Sequence, residues 1–377
     1  WVTNSFLPAS PALLARELDW LHSKAVKNVD LQKWDDAANY FATDRHNFMA
    51  RGGELLFLQL AHLFSGEDHA AVGSMRSSAS YEHLARNELV ELRVGIETGL
   101  LSILEETVGP INELARFIEE ALSSYRLRDQ RKHAQLGWIP ASSVPEAFLF
   151  ASELNNIWRS TLGALEKIDL LQLLCCMQVL RSLCFQARRI DKSSNHTDGF
   201  IGGYTWIVAD SNAHRDSGVR KLAQNSFERI EEMLYRVLRQ VAKLPGGMTT
   251  QNLAEADKHG FQIFRKIAKE LGLVIPRTGP GQRFVLPPPL LRFLVAALVA
   301  PGERVRLTDF YARAFAHYGI VLGDRQLVVA LDWSDSESGT KDYAVAADSA
   351  WVEEALQQGG FLVELSDAVS IVHNPGS

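Results

Sequence analysis

Asp44-Arg45-His46 and Arg51-Gly52-Gly53-Glu54 stand close together just ahead of an apolar run, the kind of polar cluster that can line an enzyme's site. A helix start with an acidic first turn looks the same, because acids near a helix N-terminus complement its dipole. Asp68-His69 and Glu82-His83 each set a carboxylate beside an imidazole. Sequence neighbours on a helix point apart, so adjacency alone makes no dyad. His196-Thr197-Asp198 resembles half of a metal site, and no second His or carboxylate pair at helical spacing completes it. Cys175, Cys176 and Cys184 form neither a pairing framework nor a zinc spacing, and they suggest a reducing compartment.

The longer catalytic motifs are missing. Gly202-Gly203 lacks the Gly-Lys-Ser/Thr ending of a phosphate-cradling loop, and no G-x-G-x-x-G opens a helix. No G-x-S-x-G or H-E-x-x-H occurs. Asp335-Ser336-Glu337-Ser338-Gly339-Thr340-Lys341 has the acids and lysine of a nuclease pattern, but its lysine is displaced and the stretch reads as an exposed loop. No cofactor and no metal is expected. An enzyme with a site around Asp44, His46 and Glu54 stays only as an alternative.

A different chemistry is written between residues 262 and 283. Gln262, Arg265, Lys266 and Lys269 fall at i, i+3, i+4 and i+7, so one helical face would carry three cations and an amide. Arg277 and Arg283 flank the Gly-Pro-Gly turn that follows. Cations arranged in this way meet phosphate oxygens, and an amide can read a base edge. Charge is unevenly spread: residues 249–289 carry six Lys/Arg and three acids, residues 290–377 six and twelve.

These side chains need elements to hold them. Residues 1–220 read as a helical domain, with a possible division near 137–145. Leu13, Leu14, Leu18 and Leu21, then Ile96, Leu100, Ile103 and Leu104, then Ile111, Leu114, Ile118 and Leu122, then Leu162, Leu165, Ile168, Leu171, Leu174 and Met177 all keep a helical beat. One β-prone segment, 199–209, lies between glycines. From there the grammar changes. Ile230, Leu234, Val237 and Leu238 make one helical face, a short helix runs through Leu253 and Ala256, and Gly260 is expected to break the chain before a third helix. Two β-prone runs then flank Gly279-Pro280-Gly281, a hairpin signal.

Three helices and a hairpin over residues 221–287 resemble a winged-helix domain. The stretch LAEADKHGFQIFRKIAKELGLVIPRTGPGQRFVLP is similar to its second helix, recognition helix and wing. Residues 288–377 resemble a second copy. Arg304-Val305-Arg306 would be a short strand, Thr308 a helix cap and Gly319 a helix terminator. Residues 361–365 and 368–372 would form the wing. The predicted fold class is therefore mainly α: a large N-terminal helical domain followed by two small α+β winged-helix-like domains. His317, near a helix end, reads as a partner for that helix's dipole.

The resemblance implies a non-enzymatic subunit of a multi-protein complex that binds or positions double-stranded DNA. Gln262, Arg265, Lys266, Lys269, Arg277 and Arg283 would be its DNA-binding residues. Other protein subunits would dock on the helical body and on the acidic second copy. The layout resembles subunits of bacterial systems acting on foreign DNA, which would make antiviral defence the setting. The alternative is a protein–protein scaffold resembling the tandem winged-helix accessory subunits of SMC-type complexes, which the net charge of −6 favours. With 46% apolar and 22% charged residues the composition is that of an ordinary globular chain. Its apolar runs are shorter than the ~20 residues a membrane crossing takes, so a cytoplasmic protein without membrane contact is expected.

Overall fold

The computed structural model describes residues 19–23, 41–45, 51–66, 69–107, 139–191, 199–240, 250–338, 349–365 and 369–375. The chain is mainly helical. Its N-terminal part holds β1 (Asp19–Ser23), β2 (Phe41–Arg45), α1 (Arg51–Phe64), α2 (Ala70–Arg76), a 3-10 turn (Ala79–Leu84) and α3 (Leu89–Thr107). The helices α4 (Val144–Arg159) and α5 (Ala164–Asp191) follow. β1 and β2 pair antiparallel, with Leu21 opposite Thr43. This corrects the helical reading of Leu21: a short run of Leu spacing yields to pairing with a β-compatible partner elsewhere in the chain. Residues 13, 14, 18, 111, 114, 118 and 122 of the expected helices lie outside the described residues.

The centre of the body is α4. It is buried on nearly every side, from Val144 to Trp158, and α1, α3 and α5 all pack on it. Its buried Glu146 and Glu153 are paired with Arg189 and Arg181 of α5, as buried charges must be. By length and composition α5 is apolar enough to cross a membrane, against the expectation from its uninterrupted runs, yet 61% of its most apolar window is buried within the fold.

The segment after α5 places three parts of the chain in contact. Among its described residues β3 (Trp206–Ile207) is the one strand, and it pairs in parallel with β7 (Ile320–Val321). Two residues on, Ala209 bridges in parallel to Val285. The Ser226 hydroxyl stitches the same segment to α6 (Gly218–Val237), donating to the Thr205 carbonyl and accepting from the Ile207 N–H. Trp206 is fully buried, stacked on Phe284 at 5.7 Å and edge-on to Phe264 at 6.4 Å.

After α6 come α7 (Thr250–Ala256), a π-helical turn (Asp257–Phe261) and α8 (Gln262–Glu270). The break expected at Gly260 is absent: the backbone passes from α7 to α8 through the π turn. Gly260 serves close approach instead, since a Cβ there would stand 2.9 Å from a Leu238 methyl. β4 (Val274–Ile275) and β5 (Arg283–Phe284) then pair antiparallel across an exposed tip at 276–280.

The C-terminal part runs α9 (Pro288–Leu298), β6 (Arg304–Arg306), α10 (Leu307–Tyr318), β7, α11 (Asp324–Ser338), α12 (Ala350–Gln358), β8 (Leu362–Leu365) and β9 (Val369–His373). Its antiparallel sheet has the order β6-β9-β8. No side-chain cap bond is present at the start of α10, where Thr308 was expected to act; the extended Arg306 precedes Leu307 directly. Gly319 ends α10 in the left-handed conformation at φ +70°, where a Cβ would press on the Tyr204 carbonyl at 2.6 Å. The nuclease-like acids correct a second expectation: Asp335 to Ser338 are helical, the end of α11, and residues 339–341 lie outside the described residues. One apolar cluster, from Leu56 to Val372, runs through the body and both C-terminal segments.

Candidate nucleic-acid interface

The apolar side of α8 is fixed by Phe264 and Ala268, both fully buried, which leaves the opposite side of the helix outward. Gln262 and Lys266 are exposed there, one turn apart. The remaining four predicted contacts meet protein groups. Arg265 places Nε 2.7 Å from the Glu231 carboxylate of α6 and donates from a terminal nitrogen to Gln282 Oε1 at 2.9 Å. Its guanidinium also lies 5.5 Å over the Phe261 ring. Lys269 is half-buried, and burial together with the nearby Arg265 charge lowers its pKa. Arg277 is exposed at the hairpin tip, 3.5 Å from Glu270.

Arg283 departs from its expected place on the surface. It is 5% exposed and donates to the Ser211 carbonyl at 2.9 Å. Burial and the adjacent Arg220 pull its pKa down. Arg220 holds the Ala213 carbonyl of the same loop, so the two guanidinium groups fasten that loop to α6 and β5. The sequence could not show this, because both residues of β5 are buried and the loop that covers Arg283 comes from residues 210–213, far back along the chain.

Gln282 is the residue that sequence reasoning missed. Its Nε2 donates to the carbonyls of Pro276 and Arg277 at 3.2 and 3.3 Å while its Oε1 accepts from Arg265. One buried amide therefore ties the outward helix to the hairpin tip, and Gln262, Lys266 and Arg277 belong to one connected surface. A surface of this kind can offer cations to phosphates and an amide to a groove edge. A glutamine beside a hairpin turn was the only signal for it.

The groups suited to acid–base chemistry are collected elsewhere, in a dry cluster between α4, α5 and α10. Glu153 is fully buried and takes both terminal nitrogens of Arg181 at 2.6 and 2.9 Å, the Tyr318 hydroxyl at 2.8 Å and His317 Nδ1 at 2.7 Å. Burial pushes its carboxyl up, and Arg181 and His317 outweigh that and hold it below the ordinary range. His317 is thus no dipole partner but a core residue, correcting that expectation. A carboxylate only accepts, so His317 Nδ1 donates and its Nε2 is left to accept from His83 Nε2 at 2.8 Å. Burial, the second imidazole and Arg313 push His83 down to about 2, and burial lowers His317 as well. Glu153 and Arg181 already balance in charge, so a further proton here would be an uncompensated buried cation.

Asp44 is on β2, Glu54 is buried within α1, and His46, Asp68 and the 196–198 triplet lie outside the described residues. His69 Nε2 lies 3.0 Å from the Leu63 carbonyl. Cys175 and Cys184 are buried, and burial raises both thiols. Among the described residues no three His, Cys, Asp or Glu side chains are grouped to hold a metal ion.

No family model, no curated protein and no solved structure matches this chain. The functional reading therefore rests on geometry alone.

Proposed function

We propose that the chain is a non-enzymatic subunit that positions double-stranded DNA within a larger protein assembly. In this reading residues 221–287 and 288–377 are two winged-helix-like modules on a helical body, and the first touches the duplex. The observation that carries it is the clamp at Gln282, which holds an outward helix and an outward hairpin tip on one face. The order β6-β9-β8, with β6 after the first helix and β8 and β9 after the last, supports the same reading for the second module, which carries four helices, one more than expected.

The contact set is smaller than six residues. Lys266 and Arg277 are the outermost cations, Gln262 is the amide that can reach a base, and Lys269 stands at the edge. Arg265 reaches phosphate only on leaving Glu231, and Arg283 is structural. Two or three phosphate contacts give a log-affinity slope against log salt of about −2 to −3, at roughly −0.9 per contact. Binding this shallow needs partner subunits to become specific.

Fluorescence anisotropy on a short duplex, titrated with salt, tests the reading. The double variant Lys266→Glu/Arg277→Glu should weaken binding on all sequences alike and flatten the slope by roughly two contacts. Arg304→Glu/Arg306→Glu, exposed on the second module, should do much less. No binding by the unaltered chain at low salt would overturn the proposal.

A second reading, a protein–protein scaffold, is favoured by the second module itself. Residues 290–377 carry twice as many acids as bases, and Val328, Val363 and Val369 are each at least 40% exposed on it. Such a surface suits a protein partner and repels phosphate.

A further inference from the structure

The basic face of α8 is answered by an acidic face on its own neighbour. Along α6, Glu228 and Glu231 lie one turn apart. Glu228 accepts from Gln224 Nε2 at 2.9 Å, a bond within its own helix. Glu231 reaches across to α8. Its Oε1 stands 2.7 Å from Arg265 Nε, and Lys269, one turn further along α8, acts on the same carboxylate. The Arg265 side chain is 37% exposed and that of Glu231 18%, while the two contacting atoms, Nε and Oε1, are themselves buried.

We infer that Glu231 is a built-in competitor for the DNA backbone: in the free chain it occupies the guanidinium that a phosphate would take, and it sets how tightly the face can bind. The inference rests on the DNA-positioning reading above. Three observations carry it together. Glu231 is the acid on α6 in contact with Arg265. Arg265 keeps its second anchor, Gln282, when it turns from Glu231, so the helix and the tip stay joined. The exchange replaces one anionic partner of Arg265 by another, so the guanidinium charge is matched in both states. Burial pushes the Glu231 carboxyl above its ordinary range, outweighing the opposite pull of Arg265 and Lys269.

The arrangement discriminates. A ligand bringing a single negative charge gains little by replacing a carboxylate already in place. A duplex brings several phosphates at once and can satisfy Lys266 and Arg277 while displacing Glu231.

The test is the same anisotropy titration with Glu231→Gln, which keeps the side-chain shape and removes the charge. Affinity for a short duplex at low salt should rise about three- to tenfold, and the salt slope should steepen by about 0.9, one further phosphate contact. The gain should shrink as salt screens the face. Glu228→Gln removes the same charge one turn away and should leave the slope unchanged. In an Arg265→Gln background the substitution at 231 should lose most of its effect. Glu231→Ala must move affinity in the same direction, which covers the case of a misfolded Gln variant. Binding by the unaltered chain with no change in either Glu231 variant would overturn the inference and leave the DNA reading standing. Absence of binding by every form at low salt would overturn both.

Discussion

Acid should find this protein through His83. In the folded chain its ring is neutral, donating to His317, and its pKa sits at about 2 against an unfolded value of 6.5. Between those values the unfolded chain binds the extra proton and the folded chain does not, so stability is full above pH 6.5 and is lost as pH falls. The slope approaches about 1.4 kcal/mol per pH unit well below pH 6.5 for one such imidazole, so going from pH 6.5 to 4.5 should cost about 2 kcal/mol from His83 alone. His317, also shifted down, adds to the same fall. Burial sets the direction for both rings; the second imidazole and Arg313 add to it at His83, and Arg181 and Arg313 add to it at His317 against the opposite pull of Glu153. The variant to compare is His83→Gln, which can still donate to His317 Nε2 but cannot titrate. Urea denaturation at pH 7.5, 6.5, 5.5 and 4.5 measures both proteins. The unaltered chain should lose stability steeply below pH 6.5, and the variant should lose about 1.4 kcal/mol less per unit. Parallel pH profiles would refute the reasoning. So would an NMR signal from the His83 ring titrating near pH 6 in the folded protein.

Two further substitutions probe the junctions around that cluster. Glu153→Ala strands Arg181 in a dry site and should cost about 3–5 kcal/mol in chemical denaturation, whereas replacing both partners by apolar residues of similar volume should cost less. Gly319→Ala forces a side chain into a backbone at φ +70° with a carbonyl in its way, and should lower stability by about 1–3 kcal/mol, read as a drop in thermal midpoint.

What the sequence disclosed depends on whether the information was local. Ile96, Leu100 and Ile103 fall within α3, and the runs on either side of Gly279-Pro280-Gly281 pair as β4 and β5. Gly319 terminates α10 as its type suggested, because the preference of glycine for positive φ is carried by one residue. Arg304–Arg306 and the paired runs at 362–373 are strands for the same local reason. Where the outcome depended on a distant partner, the sequence was silent. His317 looked like a helix-end cation because Glu153 and His83 are far from it along the chain. Arg283 looked like a surface contact because its carbonyl acceptor belongs to residue 211. Gly260 looked like a break because glycine usually is one, and only the approach of Leu238 accounts for it. The polar face of α8 was legible from its spacing, but its neutralisation by Glu231 required knowing that α6 lies alongside.

The parallel pairing of β3 with β7 has a consequence for the chain during its synthesis. Trp206 and Phe200 are made long before Ile320, the residue opposite Trp206 in the sheet, and before Phe315 and Gly319, which close over Phe200. At roughly 5–20 residues per second, the intervening stretch keeps that aromatic surface uncovered on the ribosome for on the order of ten seconds. Phe185, Phe200 and Tyr204 would then keep a sticky face on the nascent chain, while Trp206 is already covered by Phe264 and Phe284. A chaperone that recognises exposed aromatics would have its best opportunity there, and release would come when α10 and β7 emerge. Arrest of translation before residue 320 should therefore yield a chaperone-bound, protease-sensitive nascent chain, and arrest with β7 well clear of the exit tunnel a resistant one.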